Sequence, residues 1–156
     1  DTRVVFPLLI ALAFFVYGTG LLPQIFGGHT PLPHLNNSGR YYDTYLVKAQ
    51  GTTAVRWVAN IAKNEEERTG VASRVEIDHS SVNQFTAINS GVAYTDGIFT
   101  GVIRKDSYVY VTSPTFEKKR STLIYGGDQV LFSYPIEFLD THKDLLYDNR
   151  SVRIYR

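Results

Sequence analysis

One short segment of the chain brings an acid, a base and two hydroxyls side by side. Asp78, His79, Ser80 and Ser81 follow one another in the sequence. These are the residue types of nucleophilic catalysis, in which a carboxylate orients an imidazole that takes the proton of a serine. The members of such a triad converge from separate segments, however, and adjacent strand residues point to opposite faces. The sequence therefore predicts a polar strand end here and no catalytic site.

The remaining histidines and acidic residues lack the spacing of metal ligands. His29 and His34 lie in a Pro/Gly-rich segment with no third ligand nearby. Glu65, Glu66 and Glu67 are consecutive, and consecutive helical residues point about 100° apart, so their carboxylates cannot converge. The absence of cysteine excludes disulfides and thiolate metal sites. Gly126-Gly127 also lacks a following phosphate-binding fingerprint. From these observations together we predict no enzyme activity, no metal and no cofactor.

Tyrosine is the one compositional excess, with eleven residues among 156. Tyrosine is enriched in protein contact surfaces because one end is apolar and the other forms hydrogen bonds. Three tyrosines lie close together before the main helix and two share one face of a predicted strand. The predicted interface residues are therefore Tyr41, Tyr42, Tyr45, Tyr108 and Tyr110. The alternative is that a small sheet needs large amphipathic residues at the margin of its core.

A basic cluster is formed by Lys118, Lys119 and Arg120. We predict that it contacts lipid headgroups or an acidic partner if it faces a membrane surface. The alternative is a solvated loop between two strands. Sixteen basic and fifteen acidic residues leave a net charge of +1, so no global field attracts nucleic acid and no nucleic-acid partner is predicted.

Residues 4–39 contain no Lys, Arg, Asp or Glu. The first nineteen of them, residues 4–22, are close to the about 20 apolar residues that a helix needs to cross a bilayer. A core helix of a soluble protein would show a polar stripe, and the apolar core of a secretory signal is usually shorter. We predict a single transmembrane helix in an anchor at 1–26, with 4–22 in the bilayer, and a Pro/Gly-rich stalk at 27–39.

The charges that flank this run predict its orientation. Arg3 precedes it, whereas the exit is uncharged as far as Arg40. Basic residues are retained on the cytoplasmic side. The sequence therefore predicts a single-pass membrane protein whose domain lies on the non-cytoplasmic side.

The rest of the chain, 40–156, first has a helical and then a strand pattern. Apolar residues follow spacings of three and four between Ala54 and Ala62, and Thr69-Gly70 ends this helix. From Val71 the period becomes two, and an Asp-Gly turn at Tyr94–Ile98 predicts a hairpin. Further turns are predicted at Arg104–Ser107 and Tyr125–Asp128. A short broken helix is then predicted through Ile136, Leu139, Leu145 and Leu146, followed by a final strand or tail at 152–154.

These patterns predict an α+β chain. Its single N-terminal transmembrane helix precedes a small domain of one main helix packed on an antiparallel β-meander of five or six strands. The function that fits is a non-catalytic, single-span subunit or assembly component of a multiprotein membrane complex, whose soluble domain contacts other proteins of the complex. A further possibility is an extracytoplasmic ligand-sensing domain, because a helix on a sheet can enclose a pocket.

The order of the elements resembles that of type IV pilins and pseudopilins. An apolar N-terminal helix, a proline near position 22, a further helix and a sheet follow one another. The resemblance implies a filament or secretion-system subunit. Those families usually have a glutamate at the fifth mature position, where this chain has Val5, and their helix continues into the sheet domain.

Overall fold

The computed structural model describes residues 2–19, 25–26, 45–96, 98, 101–125 and 128–156. The chain divides into two compact units, Asp1–Leu46 and Val47–Arg156. The predicted stalk at 27–39 lies outside the described residues.

The first unit contains helix α1, Thr2–Gly18. Pro7 lies in its first half, and the hydroxyl of Thr19 donates to the carbonyl of Phe15 at 2.7 Å where the helix ends. With 17 residues, α1 is shorter than the predicted span of 4–22. Over the described ranges, no helix has both the length and the apolar character to cross a membrane. The predicted transmembrane helix is therefore unsupported.

The second unit begins with the main helix, α2, Ala49–Thr69. Its buried face consists of small and β-branched residues, which let the helix lie close to the sheet: Gly51, Ala54, Val55, Val58, Ala59 and Ala62. Gly70 ends the helix in the left-handed conformation, with φ of 70°, and its N–H donates to the carbonyl of Glu66. The predicted helix and its stop at Thr69-Gly70 are confirmed.

Among the described residues after α2, seven strands and three further α-helices follow. In chain order they are β1 (Val75–Ile77), α3 (Val82–Ile88), β2 (Tyr94–Thr95), β3 (Tyr108–Thr112), α4 (Ser113–Lys118), β4 (Arg120–Tyr125), β5 (Asp128–Ser133), α5 (Ile136–His142), β6 (Leu145–Asp148) and β7 (Val152–Tyr155). Five strands form one sheet in the order β2-β1-β3-β7-β6, and β4 pairs with β5 separately. The chain is therefore α+β, with one main helix and a mixed five-stranded sheet.

The predicted antiparallel meander is wrong for the first three strands. β1 is parallel to both β2 and β3, whereas β7 is antiparallel to β3 and β6. A parallel pair needs a crossover connection, which a 3-10 turn at His79–Ser81 and α3 supply between β1 and β2. The Asp-Gly pattern at Tyr94–Ile98 predicts an antiparallel hairpin, but β2 pairs with β1 in parallel. A period of two indicates a strand and does not indicate its direction.

The later predictions are confirmed in part. β4 and β5 form an antiparallel hairpin in which Tyr125 pairs with Asp128. The short helix through Ile136 and Leu139 is α5, and the final strand is β7. Leu145 and Leu146 lie in β6 instead of a helix. Leu145 pairs with Tyr155 of β7, and Leu146 lies at a register shift between the paired residues Leu145 and Tyr147.

The central strand β3 is buried on both faces. Tyr108 and Tyr110 face α2 and α3, where they pack with Val75, Ile77 and Phe85. Val109 and Val111 face the opposite side, in a cluster with Ile98, Tyr134, Ile136, Leu139 and Tyr155. Side chains alternate along a strand, so β3 separates two cores.

Candidate functional site

Helix α1 exposes large apolar side chains around its whole circumference. Because consecutive helical residues point about 100° apart, the large apolar residues between positions 4 and 17 leave no gap wider than about 80° around the helix. A helix that is apolar all round is normally buried, in a large core or in a membrane. The exposed residues, at 43% to 79% exposure, are Val4, Val5, Phe6, Leu8, Leu9, Ile10, Leu12, Phe14, Phe15 and Tyr17. This surface therefore requires apolar surroundings.

The structure separates the predicted interface tyrosines. Tyr45 is 56% exposed, whereas Tyr108 and Tyr110 are fully buried. Tyr41 and Tyr42 lie outside the described residues. The hydroxyl of Tyr108 donates to Glu65 Oε2 at 2.8 Å, and that of Tyr110 lies 2.8 Å from the amide oxygen of a buried glutamine, Gln84. The two strand tyrosines are therefore core residues that join β3 to the helices, which is the alternative left open by the sequence.

The predicted basic cluster lies where α4 meets β4. Lys118, Lys119 and Arg120 are all exposed. Lys119 has a left-handed backbone, with φ of 50°, and its ammonium lies 2.8 Å from Glu137 Oε1. An exposed pair of this kind contributes little to stability. Contact of this cluster with headgroups or an acidic partner stays a prediction.

The polar segment that starts at Asp78 lies at the carboxyl edge of the parallel strands. Asp78 and His79 follow β1, Asp96 follows β2, and Thr112 ends β3. After β1 the chain leads to β2 on one side, whereas after β3 it leads away into α4. In open sheets with parallel strands, ligands bind preferentially at the carboxyl ends of two neighbouring strands whose following connections run to opposite sides. The edge therefore has the topology of a binding site.

The hydrogen bonds at this edge favour a structural role for Asp78. Asp78 is 1% exposed, and its Oδ2 accepts from the backbone N–H of Thr112 at 3.1 Å and from the Thr112 hydroxyl at 2.5 Å. Its Oδ1 accepts from the hydroxyl of Ser81. The imidazole Nδ1 of His79 instead lies 3.6 Å from Asp96 Oδ2. The proton of Ser81 is thus directed to a carboxylate, which is not the arrangement of a serine nucleophile.

A cavity of about 10 Å³ lies between this edge and the β4–β5 hairpin. That volume is about the size needed for one water molecule. His79 and Tyr134 are among its lining residues, and His79 Nδ1 and the hydroxyl of Tyr134 are buried without a hydrogen-bond partner among the described residues. The cavity is too small for an organic substrate.

A larger cleft, of about 410 Å³, lies at the amino ends of β1 and β3. We call it the basic cleft. Its walls are the last turns of α2, the loop before β1, the loop before β3 and Arg156. The lining residues are Glu65, Thr69, Val71, Ala72, Ser73, Arg74, Arg104, Lys105, Asp106, Ser107 and Arg156. Four cations therefore face two carboxylates.

One carboxylate of the basic cleft is already neutralised. Glu65 Oε2 accepts from Tyr108 at 2.8 Å and from Ser73 at 3.2 Å, and Oε1 accepts from Arg156. Burial acts to raise the pKa of Glu65, but the hydrogen bonds from Tyr108 and Arg156 outweigh it and lower the pKa below its usual value. The guanidinium of Arg156 also lies 5.0 Å from the centroid of the Tyr108 ring. Glu65 and Arg156 therefore form a closed pair.

Three cations of the basic cleft remain unpaired. Arg74, Arg104 and Lys105 are exposed, and no side chain in the described part of the chain forms an ion pair with them. The sequence did not predict this site, because Arg74 lies in the strand pattern that starts at Val71 and the other two lie in the predicted turn at Arg104–Ser107. The three side chains lie close together because β1 pairs in parallel with β3, and no local sequence pattern predicts that pairing.

Within the described ranges, no three His, Asp or Glu side chains are grouped so that they could hold a metal ion. His29 and His34 are outside those ranges. Comparison of the chain with protein-family models, curated proteins and solved structures gave no match.

Proposed function

We propose that this chain is a non-catalytic component of a multiprotein membrane complex. Its α1 lies in an apolar membrane environment, and its α+β unit contacts other proteins of the complex. The observation that carries the proposal is the apolar surface of α1, which leaves no polar side for water. A soluble partner would cover one stripe of such a helix, whereas lipid hydrocarbon covers every side, and a helix satisfies its own backbone hydrogen bonds there.

The apolar surface of α1 is large enough for stable membrane association. Nine Val, Leu, Ile and Phe side chains between Val4 and Phe15 are each at least 43% exposed. Full burial of one such side chain contributes about 1.5 to 3 kcal/mol, so partial burial of nine contributes on the order of 10 kcal/mol. This proposal does not require α1 by itself to cross the bilayer.

Strand β6 offers a contact surface for a protein partner. It is an edge strand of the five-stranded sheet and carries two adjacent exposed leucines, Leu145 at 49% and Leu146 at 42%. An edge strand presents free backbone N–H and C=O groups, to which another chain can add a strand. The opposite edge, β2, has only two residues. These features support a partner at β6.

The membrane part is tested by vesicle co-sedimentation of the full chain. Leu9→Asp/Leu12→Asp places two charges in the apolar surface of α1, and each costs about 2.5 to 3.5 kcal/mol at the centre of a bilayer. We expect at least about 100-fold weaker partition into phosphatidylcholine vesicles. The matched control is Leu131→Asp, at a leucine of β5 that is 60% exposed. A wild-type chain that stays in the supernatant, or equal behaviour of variant and control, would contradict the proposal.

The partner part is tested by purification of the full chain in mild detergent. We expect a stoichiometric partner that is lost with Leu145→Asp/Leu146→Asp and retained with Leu131→Asp. A wild-type chain that purifies alone and monomeric would refute this part. A partner that still co-purifies with Leu145→Asp/Leu146→Asp would refute it as well.

A further inference from the structure

We propose that the basic cleft binds the phosphoryl group of an anionic ligand. The cleft has four cations and two carboxylates, which leaves two net positive charges and matches a phosphoryl dianion. After Glu65 and Arg156 have paired, Arg74, Arg104 and Lys105 share the lining of the cleft with one further carboxylate, that of Asp106. Arginine guanidinium groups bind phosphate oxygens in a bidentate manner, and such charged hydrogen bonds are about twice as strong as neutral ones.

The backbone that carries these cations is held in place. Glu76 Oε1 accepts from the N–H of Arg104 at 3.1 Å, and the hydroxyl of Ser107 donates to the carbonyl of Arg104 at 2.9 Å. The ammonium of Lys143 donates to the carbonyls of Lys105 at 3.1 Å and of Ser107 at 2.9 Å. The loop is therefore fixed through its main chain, while the charged ends of Arg104 and Lys105 stay free.

The third cation is fixed by the sheet. The carbonyl of Arg74 accepts from the N–H of Tyr108 at 3.0 Å, at the start of the parallel pairing between β1 and β3. Arg74 therefore stands beside the loop that carries Arg104 and Lys105. Groups that are positioned before binding lose less entropy when a ligand arrives. Such an arrangement favours a defined anion site over a solvated basic face.

The size of the cleft bounds the ligand. A volume of about 410 Å³ lies within the range of small-molecule sites, about 300 to 1,000 Å³. It accommodates a phosphoryl group and part of the molecule attached to it. Both a free phosphorylated metabolite and a lipid headgroup supply this chemistry. The inference holds whether or not α1 lies in a membrane.

The test is a calorimetric titration of the full chain, in non-ionic detergent micelles, with pyrophosphate. Arg74→Gln/Arg104→Gln removes two charges from the cleft but keeps the backbone bond to Glu76. Arg56→Gln/Arg150→Gln is the matched control, because both of these arginines are exposed and neither lines the cleft. We expect the cleft variant to bind at least about tenfold more weakly and the control to stay within about twofold of wild type.

A further variant tests the sign of the effect. Asp106→Asn removes the carboxylate that faces the free cations, so pyrophosphate should bind severalfold more tightly. We expect that chloride at equal ionic strength does not displace pyrophosphate. If it did, general charge screening would explain the binding heat without a specific site. The proposal is overturned if neither pyrophosphate nor phosphatidic acid binds at about 10 mM, a concentration well above the dissociation constants of ordinary ligand sites. It is also overturned if the two double arginine variants weaken binding equally, or if Asp106→Asn weakens binding.

Two arms distinguish the sources of the phosphoryl group. Short-chain phosphatidic acid is titrated beside pyrophosphate, with neutral phosphatidylcholine of the same chain length as the control. Tighter binding of phosphatidic acid indicates a lipid headgroup, and tighter binding of pyrophosphate indicates a free metabolite. Equal binding of the neutral and the acidic lipid would mean that the acyl chain is recognised, which contradicts the proposal.

Discussion

Replacement of Asp78 by alanine tests whether this carboxylate holds the carboxyl edge of the sheet together. In the native structure its two oxygens accept hydrogen bonds from the backbone N–H of Thr112, the hydroxyl of Thr112 and the hydroxyl of Ser81. All three residues are at least 97% buried. Asp78→Ala leaves three buried donors without their acceptor.

The expected loss follows from those three donors. A buried donor without a partner costs about 1 to 3 kcal/mol. The N–H of Thr112 cannot turn away and bears the full cost, whereas the two hydroxyls can rotate towards other acceptors. We therefore expect Asp78→Ala to lower the free energy of unfolding by about 3 to 5 kcal/mol. Asp78→Asn keeps one oxygen for Thr112, so its loss should be smaller, about 1 to 2 kcal/mol.

The assay is urea unfolding of the full chain in mild detergent, followed by tryptophan fluorescence. The chain has a single tryptophan, Trp57, whose ring centroid lies 5.0 Å from that of Tyr147, so its signal reports the second unit. Asp96→Ala is the control, because the Asp96 side chain is 42% exposed and lies 3.6 Å from His79. Its loss should stay below about 1 kcal/mol. The reasoning is refuted if Asp78→Ala costs no more than this control, or if Asp78→Asn costs more than Asp78→Ala.

Three further predictions concern α2 and its contact with β3. In Gly51→Ala the new Cβ would overlap the side-chain amide of Gln84. Urea unfolding should therefore show a net loss of stability, although alanine favours a helix over glycine by about 1 kcal/mol. Adding Gln84→Ala to the same chain should recover part of that loss. Burial acts to raise the pKa of Glu65, but hydrogen bonds from Tyr108 and Arg156 lower it overall from 4.5. Glu65 therefore stabilises the fold above pH 4.5 and loses this effect as the pH falls through the folded pKa, so Glu65→Gln should flatten the acid loss of stability in urea melts at decreasing pH. Burial and the hydrogen bond to Glu65 raise the pKa of Tyr108 to about 12, and an absorbance titration of Glu65→Gln should find a lower value. Unchanged profiles in both titrations would show that the Glu65–Tyr108 bond is not formed in solution.

Local patterns predict the elements whose stabilisation is local. The spacing of Ala54 to Ala62 indicates α2, and Gly70 can adopt the left-handed conformation that ends it. The Tyr125–Asp128 turn and the strand pattern beside it indicate the β4–β5 hairpin, because its two strands are neighbours in the chain. The uncharged run indicates an apolar helix, although α1 ends at Gly18 and its length does not support a span.

The sequence by itself determined the α+β class, the main helix, the β4–β5 hairpin and the apolar character of α1, since each follows from residues that are close together in the chain. Only the tertiary structure decided the direction of β1, β2 and β3, because a two-residue period is the same in parallel and antiparallel strands. Parallel pairing places Arg74 beside the loop of Arg104 and Lys105, and it collects Asp78, Asp96 and Thr112 at the other edge. Both candidate sites depend on residues far apart in the chain, and the order of strands in the sheet brings them together.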